Sequence, residues 1–189
     1  MAIEGPKYQV ERTYPSFEVR RYASYLVAET EVVGSREQAG NEGFRRLAGY
    51  IFGKNRGAKK IAMTSPVAEA EAKGAKIAMT APVVEVPAVG GGDRFLIQFM
   101  MPSEYTRESL PAPIDDRIHF HQIPEKRIAA IRYSGTWSER RYQKHLQKLR
   151  AAMAEQALAP AAEPVWARYD PPFKPWFLRR NEILIEVGT

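Results

Sequence analysis

Between Asp170 and Arg180 the chain gathers three prolines (Pro171, Pro172, Pro175), three aromatics (Phe173, Trp176, Phe177) and three cations (Lys174, Arg179, Arg180). Proline stiffens the backbone, aromatic rings offer flat apolar faces, and ammonium and guanidinium groups meet carboxylates. The combination suits a planar, apolar ligand with acidic substituents. The same residues would also serve as a braced loop whose rings cap the core and whose cations face water.

A second candidate lies on the first helical stretch. With Phe44, Leu47, Ala48 and Ile51 spaced as one apolar stripe, Arg45, Gly49, Phe52 and Gly53 share a flank. Two residues without side chains, a cation one turn earlier and an aromatic at the edge make a shallow flat patch. Glycine inside a helix costs about 1 kcal/mol relative to alanine, so Gly49 asks for a reason. A ligand or close packing by another element would supply it.

The chain has three histidines. His119 and His121 lie two apart on a strand and hence on one face, the weak beginning of a metal pair that no third ligand nearby completes. His145, among Arg141, Lys144 and Lys148, reads as solvated. No nucleophile elbow or phosphate loop is present, and Gly90-Gly91-Gly92 lacks the Lys-Ser/Thr and helix such a loop needs. The residues give no enzyme signature.

Composition narrows the partners. The 189 residues, 44% hydrophobic and 26% charged, are those of a soluble globular chain. Without cysteine there are no disulfides, thiolate metal sites or cysteine nucleophiles. No apolar run is long enough to cross a bilayer, and the first residues do not resemble a signal peptide. A cytoplasmic location follows as the expectation, or a periplasmic one if a leader was trimmed. The net charge of +6 favours anionic partners. Its cations are dispersed, so a solvated basic surface is preferred to nucleic-acid binding, and a monomer is expected.

The elements that must position these residues follow from periodicity. A strand or strand pair runs from about Tyr14 to Val33, and a helix follows Gly34-Ser35 and ends near Gly53. Lys60-Ile61-Ala62-Met63-Thr64-Ser65-Pro66-Val67 returns sixteen residues later as Lys76-Ile77-Ala78-Met79-Thr80-Ala81-Pro82-Val83. Each copy reads as a short strand ended by proline. Val86–Asp93 reads as a loop, Arg94–Met101 as a strand and residues 102–116 as a surface connection. Strands then fall at Ile118–Ile123 and Arg127–Tyr133. A second helix runs from Gly135-Thr136 to about Ala157, with its stripe at Tyr142, Leu146, Leu149 and Met153. Strands at Val165–Tyr169 and Asn181–Val187 close the chain. Leu26-Val27-Ala28 and Ile128-Ala129-Ala130 mark an internal offset of about 101 residues. The prediction is one α+β domain over 1–189, with duplicated β-β-α-β-β halves at about 8–101 and 117–187. The halves would form a curved antiparallel sheet or distorted barrel flanked by two helices.

Three separated stretches carry a family resemblance: Lys-Ile-Ala-Met-Thr-Ala-Pro-Val, the helix from Glu42 to Asn55, and Tyr169-Asp170-Pro171-Pro172 with Arg179-Arg180-Asn181-Glu182. In this order they resemble the SOUL/heme-binding protein family, over nearly the whole chain and nearest to its bacterial branch. The resemblance implies a pseudo-twofold fold and non-covalent binding of heme or a related tetrapyrrole, as buffer or carrier. The groove would lie beside the first helix and the late proline-rich loop. It assigns the cations to Arg45 and Lys174, with Lys54 substituting for a lysine whose place falls near Gly53. Gly49, Gly53, Phe52, Phe173, Trp176 and Phe177 would meet the macrocycle. Arg21 stands where one branch carries an axial histidine, so that mode of iron ligation is lost here. The duplicated fold also resembles gyrase-inhibitor-like effector domains, which accept apolar cations between their halves. On that alternative an acid such as Glu29, Glu31 or Glu186 would lie inside the cleft.

Overall fold

Strands β1 (Tyr8–Thr13), β2 (Glu18–Tyr22) and β3 (Tyr25–Val33) lead into helix α1 (Arg36–Ile51). Short β4 (Asn55–Arg56), then β5 (Val83–Pro87), β6 (Arg94–Met100) and short β7 (Ala112–Pro113) follow. The second half runs β8 (His119–Ile123), β9 (Lys126–Tyr133), α2 (Glu139–Glu155), β10 (Val165–Arg168), a 3-10 turn (Trp176–Leu178) and β11 (Asn181–Glu186). This computed structural model describes residues 5–57, 83–87, 93–170 and 174–188. The doubled Lys-Ile-Ala-Met-Thr run up to Pro82, and Phe173, lie outside them.

Nine strands form one antiparallel sheet in the order β1-β2-β9-β11-β10-β5-β6-β3-β8, and β4 pairs with β7 apart from it. The order is symmetric about the β10–β5 pair, with β11 answering β6, β9 answering β3 and β2 answering β8. The duplicated α+β architecture is thus as the sequence predicts, with one feature the repeat does not announce. Each half sends its opening strand to the other half: β2 pairs with β9, and β8 with β3. Consecutive β2 and β3 therefore stand near opposite edges of the sheet.

Both helices cover the same face. The row Ile131, Ile183, Trp166, Glu85, Ile97 and Thr30 crosses six strands in register. On it, α1 buries Leu47, Ala48, Tyr50 and Ile51 over β3 and β6, and α2 buries Tyr142, Leu146, Leu149 and Met153 over β9 and β11. Both predicted stripes are the buried ones. Each helix starts where a side-chain oxygen meets an unpaired amide: the Gln38 amide donates to Ser35 Oγ (3.4 Å) and the Arg141 amide to Ser138 Oγ (3.4 Å). Ser35 and Gln38 complete a reciprocal box.

Three local expectations are corrected. Tyr8–Thr13 is a strand although only Tyr8 is even half-buried, because an edge strand needs no apolar face. Val83–Pro87 is a strand where Val86 was read as the start of a loop; β5 joins the halves and is stopped by Pro87. The second helix begins at Glu139, capped by Ser138, rather than at Gly135-Thr136. Among the described residues no helix is long and apolar enough to cross a membrane.

Candidate functional site

Strands β6 and β10 are both antiparallel to β5, so they run the same way. Helix α1 runs back over the sheet with Gly43 against Ile97 and Phe44 edge-on to Phe99 (5.4 Å between centroids). Its last turn therefore reaches the end of the sheet from which β10 leaves. There β10 gives way to the proline-rich connection, and α2 begins at the same end because Tyr133 of β9 pairs with Asn181 of β11. The C-terminus of α1, the connection and the N-terminus of α2 thus share one end of the molecule. Sequence separation hides this, since the three come from around residues 52, 139 and 175.

On α1, Arg46 turns toward β3, donating to Thr30 Oγ1 (2.6 Å) and the Glu31 carbonyl (3.1 Å). Phe44 meets β6, so the flank continuing through Ala48 and Phe52 faces the middle of the sheet. Arg45 is 76% exposed and ion-paired with Glu42 (2.9 Å). Phe52 is 58% exposed. At Gly49 a Cβ would meet only the Lys54 side chain, its Cδ 3.2 Å away, which lies across the glycine. Close packing by another described element is thus not the reason for Gly49. Gly53 takes φ 111°, a left-handed conformation that ends the helix and that L side chains rarely adopt. The helix candidates lie along one flank, with Arg45, Phe52 and Lys54 exposed and the Lys54 side chain over Gly49.

On the connection, Trp176, Phe177 and Leu178 are 51%, 57% and 57% exposed. The rings of Trp176 and Phe177 sit edge-to-face at 5.6 Å and do not bury themselves in the protein. Lys174 Nζ donates to Asp170 Oδ1 (2.6 Å), whose other oxygen accepts the Arg180 amide (2.5 Å). Burial alone would raise the Asp170 carboxyl, but those two donors bring it below the ordinary carboxylate value. Arg179 lies over the Trp137 ring (4.6 Å) and Arg141 over that of Trp176 (6.0 Å), which fixes the connection against the start of α2. Phe173 lies outside the described residues.

The histidines do not join these groups. His119 and His121 stand opposite Glu29 and Val27 on the sheet face away from the helices. His145 is not solvated as expected: it stacks on Tyr133 (4.1 Å, 14°), half-buried, and burial with Lys144, Lys148 and Arg141 lowers its pKa. Among the described residues no three His, Cys, Asp or Glu side chains are placed to hold a metal ion.

A family model described as SOUL heme-binding protein matches residues 3–73 and 68–186. The chain belongs to the SOUL family. Heme-binding protein 1 of Xenopus tropicalis is 29% identical over 174 residues, 92% of this chain and 84% of that one. Among solved structures the EcmrR C-terminal domain superposes with a TM-score of 0.64 at 9% identity, covering 96% of this chain and 98% of that one. A hydrolase from Listeria innocua follows at TM-score 0.56 and 12% identity, covering 93% and 94%. At such identities these two show a shared fold alone.

In this SOUL chain Arg21 is exposed and pairs with Glu11 (2.7 Å) and Glu125 (3.1 Å). The residues sequence reasoning passed over lie on the face away from the helices. Glu182 is 0% exposed and accepts from Arg20 (2.8 and 3.3 Å), Arg180 (2.7 and 3.0 Å) and the Tyr169 hydroxyl (2.9 Å). Arg20, 4% exposed, also binds Glu18 (2.7 Å) and Tyr22 (3.2 Å) and lies over the Tyr8 ring (4.5 Å). Tyr169, Arg180 and Glu182 fall in the stretches that carry the family resemblance, but nothing in the sequence links Glu182 to Arg20, 162 positions away.

Proposed function

We propose that this chain binds heme or a related tetrapyrrole non-covalently and without turnover, as a buffer or carrier. The observation that carries the reading is the α1 flank. Gly49 presents no side chain of its own, the exposed Lys54 chain over it would swing aside for a ligand, Phe52 is exposed at its edge, and Arg45 and Lys54 supply charge. The flank lies at the same end of the sheet as Lys174, Trp176 and Phe177. A flat macrocycle would lie on the glycine face and against the rings, and its carboxylates would meet the cations. Arg45–Glu42 is open to solvent and worth about 0–1 kcal/mol, so Arg45 can turn to a ligand carboxylate at small cost, while Lys174 would have to share its part-buried bond to Asp170. Membership of the SOUL family and the name of the Xenopus relative support the same reading. The fit is to the macrocycle and its acids; no histidine of the chain lies on the flank, so iron ligation is not assigned.

Titration with hemin is expected to give a saturable Soret shift near one per chain. Arg45→Glu with Lys174→Glu is expected to weaken binding by about three- to tenfold per charge reversed. Unchanged affinity in the double variant would remove the site. Gly49→Ala separates stability from binding. It is expected to stabilise the helix by about 1 kcal/mol, since only the movable Lys54 chain is in the way. The same methyl group on the shelf lowers hemin affinity; thermal melts and titrations read the two effects.

The alternative reading needs an acid open to a cation on the face away from the helices. Glu182 does not qualify, being already neutralised by two arginines. Glu31 pairs with Arg94 (3.3 Å) and Glu186 with Lys126 (3.6 Å). Glu29, half-buried and accepting the neutral Gln98 amide (2.8 Å), is the acid that would serve. A cationic dye that binds wild type but not Glu29→Gln, while hemin does not bind, would favour it.

A further inference from the structure

Seven large apolar side chains are exposed among the described residues, and three of them, Trp176, Phe177 and Leu178, are consecutive. A fourth, Phe52, lies at the same end of the sheet. The 3-10 turn holds the three as a knuckle, and the tetrapyrrole reading has no use for Leu178. Exposed apolar groups so concentrated mark a contact surface.

What the knuckle abuts decides its partner. Arg141 reaches over the Trp176 ring (6.0 Å), and from Arg141 a cationic strip continues along α2. Lys144 and Lys148 follow at helical spacing, and all three cations act on His145 between them. Arg140 and Arg150 extend the exposed face, whose other residues there are the neutral Gln143 and Gln147. The acids nearby are few: Glu139 at the helix start accepts from the neutral Gln143 (2.7 Å) and keeps its charge, and Asp170 is held by Lys174 and the Arg180 amide. An apolar knuckle carrying tryptophan, bordered by cations that outnumber the acids beside them, matches an anionic bilayer surface. The rings enter the headgroup–acyl boundary while lysine and arginine meet lipid phosphates.

We propose that the Trp176–Leu178 knuckle and the Arg140–Lys148 strip of α2 form a peripheral docking surface for anionic lipid membranes. This goes beyond the tetrapyrrole reading and shares with it the rings of Trp176 and Phe177. Leu178 and the α2 cations belong to the membrane surface alone, and Arg45 to the ligand site alone.

The test uses the full chain without hemin and phosphatidylcholine vesicles with and without phosphatidylglycerol, read by flotation and tryptophan emission. The expected result is binding only to vesicles with phosphatidylglycerol, weakened by salt. It comes with a blue shift that Trp176→Phe abolishes, because Trp166 is already buried and Trp137 is half-buried with its indole N–H donating to Asn181 (2.9 Å). Leu178→Asp and Lys144→Glu/Lys148→Glu should each reduce binding, the latter by about fivefold or more per charge. Both should leave hemin titration unchanged, whereas Arg45→Glu should do the reverse. No vesicle binding overturns the proposal. So does adsorption that shows no Trp176 shift and ignores Leu178→Asp, which is bare charge attraction. Retention by duplex DNA without vesicle binding overturns it in favour of a nucleic-acid surface.

Discussion

Glu182→Ala is expected to destabilise the protein by about 3–5 kcal/mol, the range for breaking a buried ion pair from one side. The carboxylate is fully buried and is stabilised by Arg20, Arg180 and Tyr169. Burial by itself would make the Arg20 guanidinium easier to deprotonate. The Glu182 carboxylate more than reverses this, and the pKa stands above the ordinary arginine value. Remove that carboxylate and Arg20 keeps Glu18, while Arg180 loses the two bonds that hold it. Glu182→Gln keeps the shape and should cost less, about 1–3 kcal/mol. Arg20→Met with Glu182→Leu should lie nearer wild type than either single loss, because the two buried charges leave together and Arg180, the charge that remains, is partly open to solvent. Chemical denaturation of wild type, the two Glu182 variants, the double variant and its two single components measures this. A Glu182→Ala variant within about 1 kcal/mol of wild type would show that the network is not stabilised as its geometry requires.

Gly43→Ala is expected to move stability the opposite way from Gly49→Ala, six residues along the same helix. A Cβ at Gly43 would stand 2.6 Å from Ile97 Cβ, with the branch of that side chain nearer still. Ile97 is fully buried on a central strand and cannot step aside. Alanine would favour the helix by about 1 kcal/mol. Overpacking between α1 and β6 costs about 1–3 kcal/mol and rises with every added atom. A net loss of about 1–2 kcal/mol is expected for alanine, with no stable fold for leucine. Thermal melts of Gly43→Ala and Gly49→Ala side by side read the contrast. Equal shifts of one sign would mean that propensity alone governs both positions.

The two glycines mark the limit of what the chain discloses before folding. Both interrupt the same helix, and its period places Leu47 and Ile51 inward and Arg45 outward, as found. Period alone does not say which glycine is pressed against an isoleucine fifty residues away. The duplication was legible because each half repeats a helix stripe and the strands around it. The exchange of β2 and β8 was not, because pairing across the sheet leaves no mark on local alternation. Tyr8–Thr13 escaped notice for a related reason: an edge strand facing water has no apolar rhythm. At the candidate site the kinds of side chain were readable from composition, including flat rings and dispersed cations. Their convergence was implied by the family resemblance and not by periodicity, since it depends on β6 and β10 running the same way. The Arg20–Glu182 contact spans nearly the whole chain and could not be anticipated from either end.

The crossing of the opening strands also governs the order in which a growing polypeptide can complete its fold. When α1 has just been synthesised, the β1–β2 ribbon has one edge without its native neighbour, because β9 begins only at Lys126, well beyond the end of α1 at Ile51. That edge offers unpaired amides and carbonyls to any other strand nearby. The slow closure of such a distant pairing makes the half-made chain, rather than the finished one, the form that most needs shielding from its own copies.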